Sequence, residues 1–331
     1  MRIIWTILLL FLGGGIAASA QTGMAQTEPD PGSKRIALTY DDAPRGDGRL
    51  FTGADRTEAL LDQWDKAGTG PVAIFATTRG LDRDGRARLQ AYGQAGHRIA
   101  NHTDTHPWAS RTSVGEFIAD TDRAETLLEG LPNRRPWFRF PYLDEGGYGE
   151  DRIAARAKRE ALRQALSERG LRNGYVTVDT YDWHLDSLLQ QALKDGRAVD
   201  EDALGRVYAD MVVDAAAHYD RMAMDVLGAR PAQVLLLHEN DIAALATHRM
   251  VAALRRAGWT IIDPDEAYAD PALQAAPDTL FSGMGRLAAI ARESGRAGAD
   301  DFDHWSADEA GIEARVAAEK AFGEQGRDAA P

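Results

Sequence analysis

The sequence contains no cysteine, which removes disulfides, thiolate nucleophiles, Cys-ligated zinc and iron–sulfur clusters in one step. Any metal must then be held by His, Asp or Glu. Positive charge is the next deficit: 38 Lys and Arg stand against 51 Asp and Glu, a net charge of −13. With no basic stripe carrying interleaved aromatics, nucleic acid is not expected as a partner. A membrane-length apolar run is also missing, because the one strongly apolar stretch, Ile3 to Leu12, is shorter than the roughly 20 residues a bilayer span needs. That stretch follows Met1-Arg2 and precedes Gly13–Gly15 and Ala18-Ser19-Ala20, the three-part pattern of an export signal cleaved before Gln21. No cysteine follows it to carry a lipid. Residues 1–20 therefore read as a signal peptide. The protein is expected to be exported, periplasmic or secreted, with no stable membrane anchor after cleavage.

What is present is ordinary globular material: 331 residues, 44% hydrophobic and 27% charged, enough for a full core without staples. Residues 21–34 are polar and read as a linker. From Arg35 short β-type runs alternate with amphipathic stretches. Strands are expected at Ile36–Tyr40, Val72–Thr77, His97–Ala100, Trp137–Phe140, Tyr175–Val178, Val234–Leu237 and Thr260–Ile262. Between them, Asp55 can cap a helix carrying Leu60, Leu61 and Trp64 that stops at Gly68. Ser113 with Glu116 makes a capping box for a helix ending at Gly130. Strands spaced by helices point to an α/β protein with a parallel sheet, and spacing alone leaves barrel and open sheet both standing. Residues 185–232 hold no strand candidate and carry Leu204, Val207, Met211 and Val212 at helical spacing, an expected insertion over one end of the sheet. Residues 35–273 make the main domain. Residues 274–331, Ala-rich and acidic, read as a C-terminal helical or partly disordered appendage.

Five polar clusters fall at the C-terminal ends of these strands, the face where barrels build their sites. The first is Thr39-Tyr40-Asp41-Asp42-Ala43-Pro44. Two adjacent carboxylates repel, and a cation on one of them removes the conflict. They can serve one site only where the strand is ending, since consecutive strand side chains point to opposite faces. The second, Asn101-His102-Thr103-Asp104-Thr105-His106-Pro107, places two imidazoles four apart, on one face if the segment makes a single helical turn. With one carboxylate they form the His₂-plus-acid set of a catalytic zinc site. The others are Arg139-Phe140-Pro141-Tyr142, Asp179-Thr180-Tyr181-Asp182-Trp183 and Leu235-Leu236-Leu237-His238. Each of these three alone reads equally well as packing.

In this order the five segments resemble the motif set of the polysaccharide deacetylase family (the NodB-homology group, carbohydrate esterase family 4), over about Arg35 to Ala269. The resemblance implies a distorted (β/α)7 barrel and a metal-dependent N- or O-deacetylase. It implies Asp42, His102 and His106 as ligands of a divalent ion, most simply Zn²⁺, with Co²⁺ or Ni²⁺ as alternatives. Asp41 would be the general base and Arg139 its partner. His238 would be the general acid with Asp182 beside it. The Tyr142 N–H would help form the oxyanion hole, and Trp183 and Leu236 would wall the acetyl pocket. Asp179 matches the fourth motif with a less defined role, positioning the turn. The implied partner is an acetylated carbohydrate, peptidoglycan or chitin oligomers. Hydrolysis of O-acetyl esters or another non-peptide C–N bond at the same site, and sugar binding without turnover, are the competing readings. Three departures stand out. Ala43 replaces the usual Gly, Leu143-Asp144-Glu145 lengthens the loop after Tyr142, and Glu239-Asn240-Asp241 adds polar groups next to His238.

Overall fold

Ile36, Leu38 and Tyr40 alternate with Ala37 and Thr39, and all five are fully buried. A run buried on both faces is what a parallel sheet with helices outside requires, and it forms the longest strand of the computed structural model, β1 (Lys34–Ala43). The structure describes residues 32–296, 298 and 302–324. The expected signal peptide, residues 1–20, and the linker up to residue 31 lie outside the described residues.

Six more strands follow: β2 (Ala73–Ala76), β3 (Arg98–Asn101), β4 (Arg134–Phe138), β5 (Arg172–Asn173), β6 (Gln233–His238) and β7 (Trp259–Ile261). They pair in the order β5-β4-β3-β2-β1-β6, with β7 also on β1, and every pairing is parallel. This is the curled, mostly parallel sheet of a half-barrel with helices around it, the distorted barrel the sequence led us to expect. Helices α1 (Gly53–Ala67), α2 (Arg83–Gln94), α3 (Val114–Leu128) and α4 (Arg152–Glu168) make the first four crossovers, α5 (Asp182–Lys194) and α6 (Glu201–Leu227) the fifth, and α7 (Asp241–Arg256) the sixth.

One strand departs from expectation. Residues 175–178 form no regular strand, and β5 ends at Asn173. The chain then runs through Gly174, where a Cβ would meet the Phe75 ring at 2.4 Å, and meets β6 through the isolated Val178–Leu235 bridge and irregular hydrogen bonds around Thr177 and Val178. Close approach to the Phe75 ring bends the backbone out of ladder geometry. The first helix cap also differs: Thr52, not Asp55, is the N-cap, accepting from the Asp55 N–H. Gly68, at φ +57°, ends that helix, and the Ser113–Glu116 capping box is present.

Alternation along β1 separates two cores. Ile36, Leu38 and Tyr40 pack outward with Leu237 and with Leu204, Val207, Met211 and Val212 of α6. Ala37 faces inward with Ala73, Ala100, Phe75, Trp137 and Tyr175. Thr39 and Asp41 continue that inward face. Beyond Leu273 the chain also joins the outer core, through Leu287 and Ala288 of α9 (Gly285–Ser294) and Ile312 and Val316 of α10 (Glu309–Ala318), after the short α8 (Pro264–Ala267). No helix among the described residues is long and apolar enough to cross a membrane. Because Leu287 is fully buried, Leu287→Ala is expected to cost about 2–5 kcal/mol in denaturant unfolding. A loss below about 0.5 kcal/mol would mean that α9 is peripheral.

Candidate active site

The ends of β1, β2 and β6 align: Asp41 pairs in register with Phe75 on one side and His238 on the other. Between Asp41 and Ala43 the ladder slips, and Asp42 takes φ +69°. An irregularity of this kind re-aims a side chain at a strand end. It lets Asp41 keep the inward direction while Asp42 turns to the same cavity. Ala43 avoids the left-handed region, so losing the usual Gly there carries no strain; the unfavourable φ falls on Asp42 instead.

His102 and His106 are brought together without the expected helical turn. The segment after β3 is irregular, with Thr103 at φ +71° and His106 at φ +56°. The Thr103 hydroxyl accepts the His106 N–H at 3.1 Å, and the two rings lie 4.9 Å apart. Pro107 disfavours helix at the residue before it, and two left-handed residues replace the turn. One Asp42 oxygen stands 3.8 Å from Nε2 of His102 and 3.5 Å from Nε2 of His106. One ligand atom from each of the three residues lies within 4.8 Å of the others.

This set fits a divalent cation. The Arg139 carbonyl lies 2.9 Å from His102 Nδ1 and accepts its proton, which leaves the Nε2 lone pair facing Asp42. Burial pushes both imidazoles down to about 4, so at neutral pH each is the neutral form that a metal requires.

Arg139 is 1% exposed, and all three of its side-chain nitrogens find acceptors. It donates to Asp41 at 2.5 Å, Thr39 Oγ1 at 2.8 Å, the Gly174 carbonyl at 2.7 Å and the Tyr268 hydroxyl at 2.9 Å. Its plane sits 3.8 Å over the Phe75 ring. Burial pushes Asp41 up to about 6 against the Arg139 charge. On the other wall, His238 Nδ1 lies 2.6 Å from Asp182, whose second oxygen takes the His238 backbone N–H at 2.8 Å. Burial works against charging His238, yet Asp182, with Asp42 and Asp41 behind it, carries its pKa up to about 9. Asp179 is buried on the same wall and pushed up to about 7 by burial, with the His238 charge opposing.

These groups surround one cavity of ≈ 660 Å³. Tyr142, at φ +58°, contributes to it, and among the described residues its N–H has no acceptor. Trp183 and Leu236 line the cavity as well, so every singled-out residue reaches this region: Arg139 and Asp182 from behind it, the others from its wall. Sequence reasoning missed several neighbours. Trp108 stacks on Tyr142 at 4.0 Å and 7°; directly following Pro107 at a motif's end was its only signal. Tyr268 steadies Arg139 from beyond the five motifs. Gly283, in the segment read as an appendage, lines the cavity and donates its N–H to the Leu143 carbonyl. The lengthened loop is pinned by fully buried Asp144, which accepts from Ser110 N–H and hydroxyl and from Gly146 N–H. Glu239 and Asp241 do not join His238; they pair with Arg88 and Arg56, each at 2.8 Å.

The chain thus combines a half-barrel with an Asp–His–His cluster at its strand ends. Residues 28–165 match the family model described as polysaccharide deacetylase. Among solved structures the chain is similar to a chitin deacetylase from the fungal pathogen Colletotrichum lindemuthianum, at 16% identity, covering 72% of this chain and 89% of that one, with a TM-score of 0.48. It is also similar to a peptidoglycan deacetylase from Bacillus subtilis, at 21% identity, 71% and 89% coverage and a TM-score of 0.43. A family 4 carbohydrate esterase from Streptomyces lividans, solved with acetate, matches at 22% identity, 71% and 95% coverage and 0.43.

If the three ligands act together, His102→Ala loses bound divalent metal, read as metal per chain by mass spectrometry, with the fold retained by circular dichroism. Stoichiometric metal in that variant would refute the site.

Proposed function

We propose that this chain is an exported, divalent-cation-dependent deacetylase that hydrolyses N-acetyl groups of amino-sugar polymers, peptidoglycan or chitin oligomers. What supports the reading is that Asp42, His102 and His106 line one cavity together with two buried groups of opposite support, Asp41 and His238. Asp41 is braced by a guanidinium and His238 by a carboxylate. Asp42, His102 and His106 would hold the cation, Zn²⁺ in the simplest case. When bound, it supplies Lewis-acid polarisation of the acetyl carbonyl and a lowered water pKa.

The chain's own residues supply the rest. Asp41, favoured as an anion by Arg139, takes a proton from the attacking water while the water oxygen bonds to the acetyl carbon. The Tyr142 N–H donates to the oxygen on which charge grows, a contribution of about 3–4 kcal/mol for a well-placed donor. His238 gives its proton to the departing nitrogen, the C–N bond breaks, and acetate and the free amine result. Trp183 and Leu236 enclose the methyl group. Export rests on the N-terminal pattern of Met1 to Ala20. The test is acetate release from N-acetylated peptidoglycan and chitin oligomers set against acetylated xylan; release from xylan alone would assign the site to esters.

Two variants probe the roles. Asp41→Asn is expected to retain metal and lower kcat by about 10²–10⁴-fold; a kcat within a factor of two of wild type would remove Asp41 as base. His238 acts protonated, so activity is expected to fall as pH rises through about 9. Removing the charge that raises this pKa, in Asp182→Asn, moves the alkaline limb to lower pH. A limb that stays in place would separate Asp182 from the acid.

A further inference from the structure

Arg45 follows Pro44 out of β1, and its half-buried side chain lines the active cavity. Among the described residues no carboxylate stands within ion-pair distance of its guanidinium. The other ionisable carboxylates and imidazoles on the cavity wall are Asp41, Asp42, Asp179, His102, His106 and His238. Arg45 is thus the permanent cation facing this space.

Its backbone is gripped on both sides. Glu239 accepts the Arg45 N–H at 2.7 Å, and the Arg45 carbonyl accepts from Arg88 at 2.9 Å and Arg56 at 3.3 Å. Arg56 also holds the next carbonyl, Gly46, at 2.8 Å. Arg88 and Tyr92 each bond Glu239 at 2.8 Å, and Arg56 bonds Asp241 at 2.8 Å. These charges come from α1, α2, the turn after β6 and the start of α7, and all are buried. A buried ion pair seldom adds net stability over an apolar replacement. Several of them converging on one peptide is instead the arrangement that fixes a residue for recognition. On this fixed backbone the Arg45 guanidinium offers planar donors matched to a carboxylate. Without an acidic ligand its charge is answered only at longer range, by Asp42 and Asp186.

We propose that Arg45 is a specificity residue that pairs with a carboxylate carried on, or next to, the acetamido sugar bound at Asp42, His102 and His106. The substrate class is then an acidic amino-sugar saccharide, its carboxylate coming from a lactyl ether on the sugar or from a neighbouring uronic acid. This rests on the deacetylase reading.

The test compares uncharged N,N′-diacetylchitobiose with N-acetylglucosaminyl-N-acetylmuramic acid and with glucuronyl-N-acetylglucosamine. Binding is measured by calorimetry on the metal-loaded full chain in the Asp41→Asn background, with Arg45 or with Arg45→Gln. At least one acidic disaccharide is expected to bind about tenfold tighter than chitobiose, and Arg45→Gln is expected to erase that preference. Arg45→Lys should restore part of it, and raising salt from about 50 to about 500 mM should weaken the acidic ligand selectively. Whichever acid shows the preference identifies the carboxylate's source. Equal binding of all three, or a preference that survives Arg45→Gln, overturns the proposal. Acetate release by the unmutated chain separates the two readings. An Arg45-dependent preference without acetate from any of the three sinks the deacetylase and leaves Arg45. Acetate released without such a preference does the reverse.

Discussion

Arg139 is the constraint on which the rest of the site depends. Its guanidinium is buried and spends its donors on Asp41, Thr39, Gly174 and Tyr268, while its own carbonyl fixes His102 Nδ1. One residue therefore orients a carboxylate and an imidazole that lie far apart in sequence. Burying such a charge is costly and is offset only when its nitrogens find acceptors, as all three do here. Removing the guanidinium would leave Asp41 buried and unpaired, a loss of about 3–5 kcal/mol, so orientation and stability are coupled through the same contacts.

The backbone bears a matching load. Of the positive-φ residues other than glycine, Asp42, Thr103, His106, Tyr142 and Leu143 all sit around the cavity, and only Asn133 and Lys320 lie elsewhere among the described residues. Each such residue costs of order 1–3 kcal/mol. That concentration marks the strand ends as places where side-chain direction was favoured over local comfort. The inner core supports them: Ala37, Ala73 and Ala100 make room for Phe75 and Trp137, and Phe75 in turn backs Arg139.

Much of this was legible in the sequence because it is written in residue type and period. Continuous apolar runs gave the buried strands, and Gly68 and the Ser113–Glu116 box gave helix ends. Polar residues closing apolar runs marked Asp41, Asp42, His102, His106 and His238. What escaped depends on the third dimension. The helical turn expected at His102–His106 is a pair of left-handed residues, because spacing reports which residues can meet but not the backbone route. The strand expected at 175–178 yields to a crowded ring beside Gly174. The stretch after Leu273 looked peripheral from its composition, yet Leu287 and Ile312 are fully buried and Ser306 accepts the Tyr181 N–H at 2.8 Å, tying the tail to the Asp179–Trp183 turn.

The two acidic residues that open the site divide labour through burial. Asp41 and His102 are almost wholly enclosed, whereas the Asp42 and His106 side chains are 28% and 27% exposed. A cation held by this set would keep its open side toward the cavity, where solvent and a ligand can reach it, as a catalytic metal requires. The same gradient explains why neighbouring carboxylates need not compete. Asp41 is committed to a guanidinium behind it, whereas Asp42 would share a cation with the neutral imidazoles, so the repulsion between them would be answered by different partners. Their adjacency is tolerable because the β1 ladder slips between Asp41 and Ala43, and that slip is what turns two alternating positions into one site.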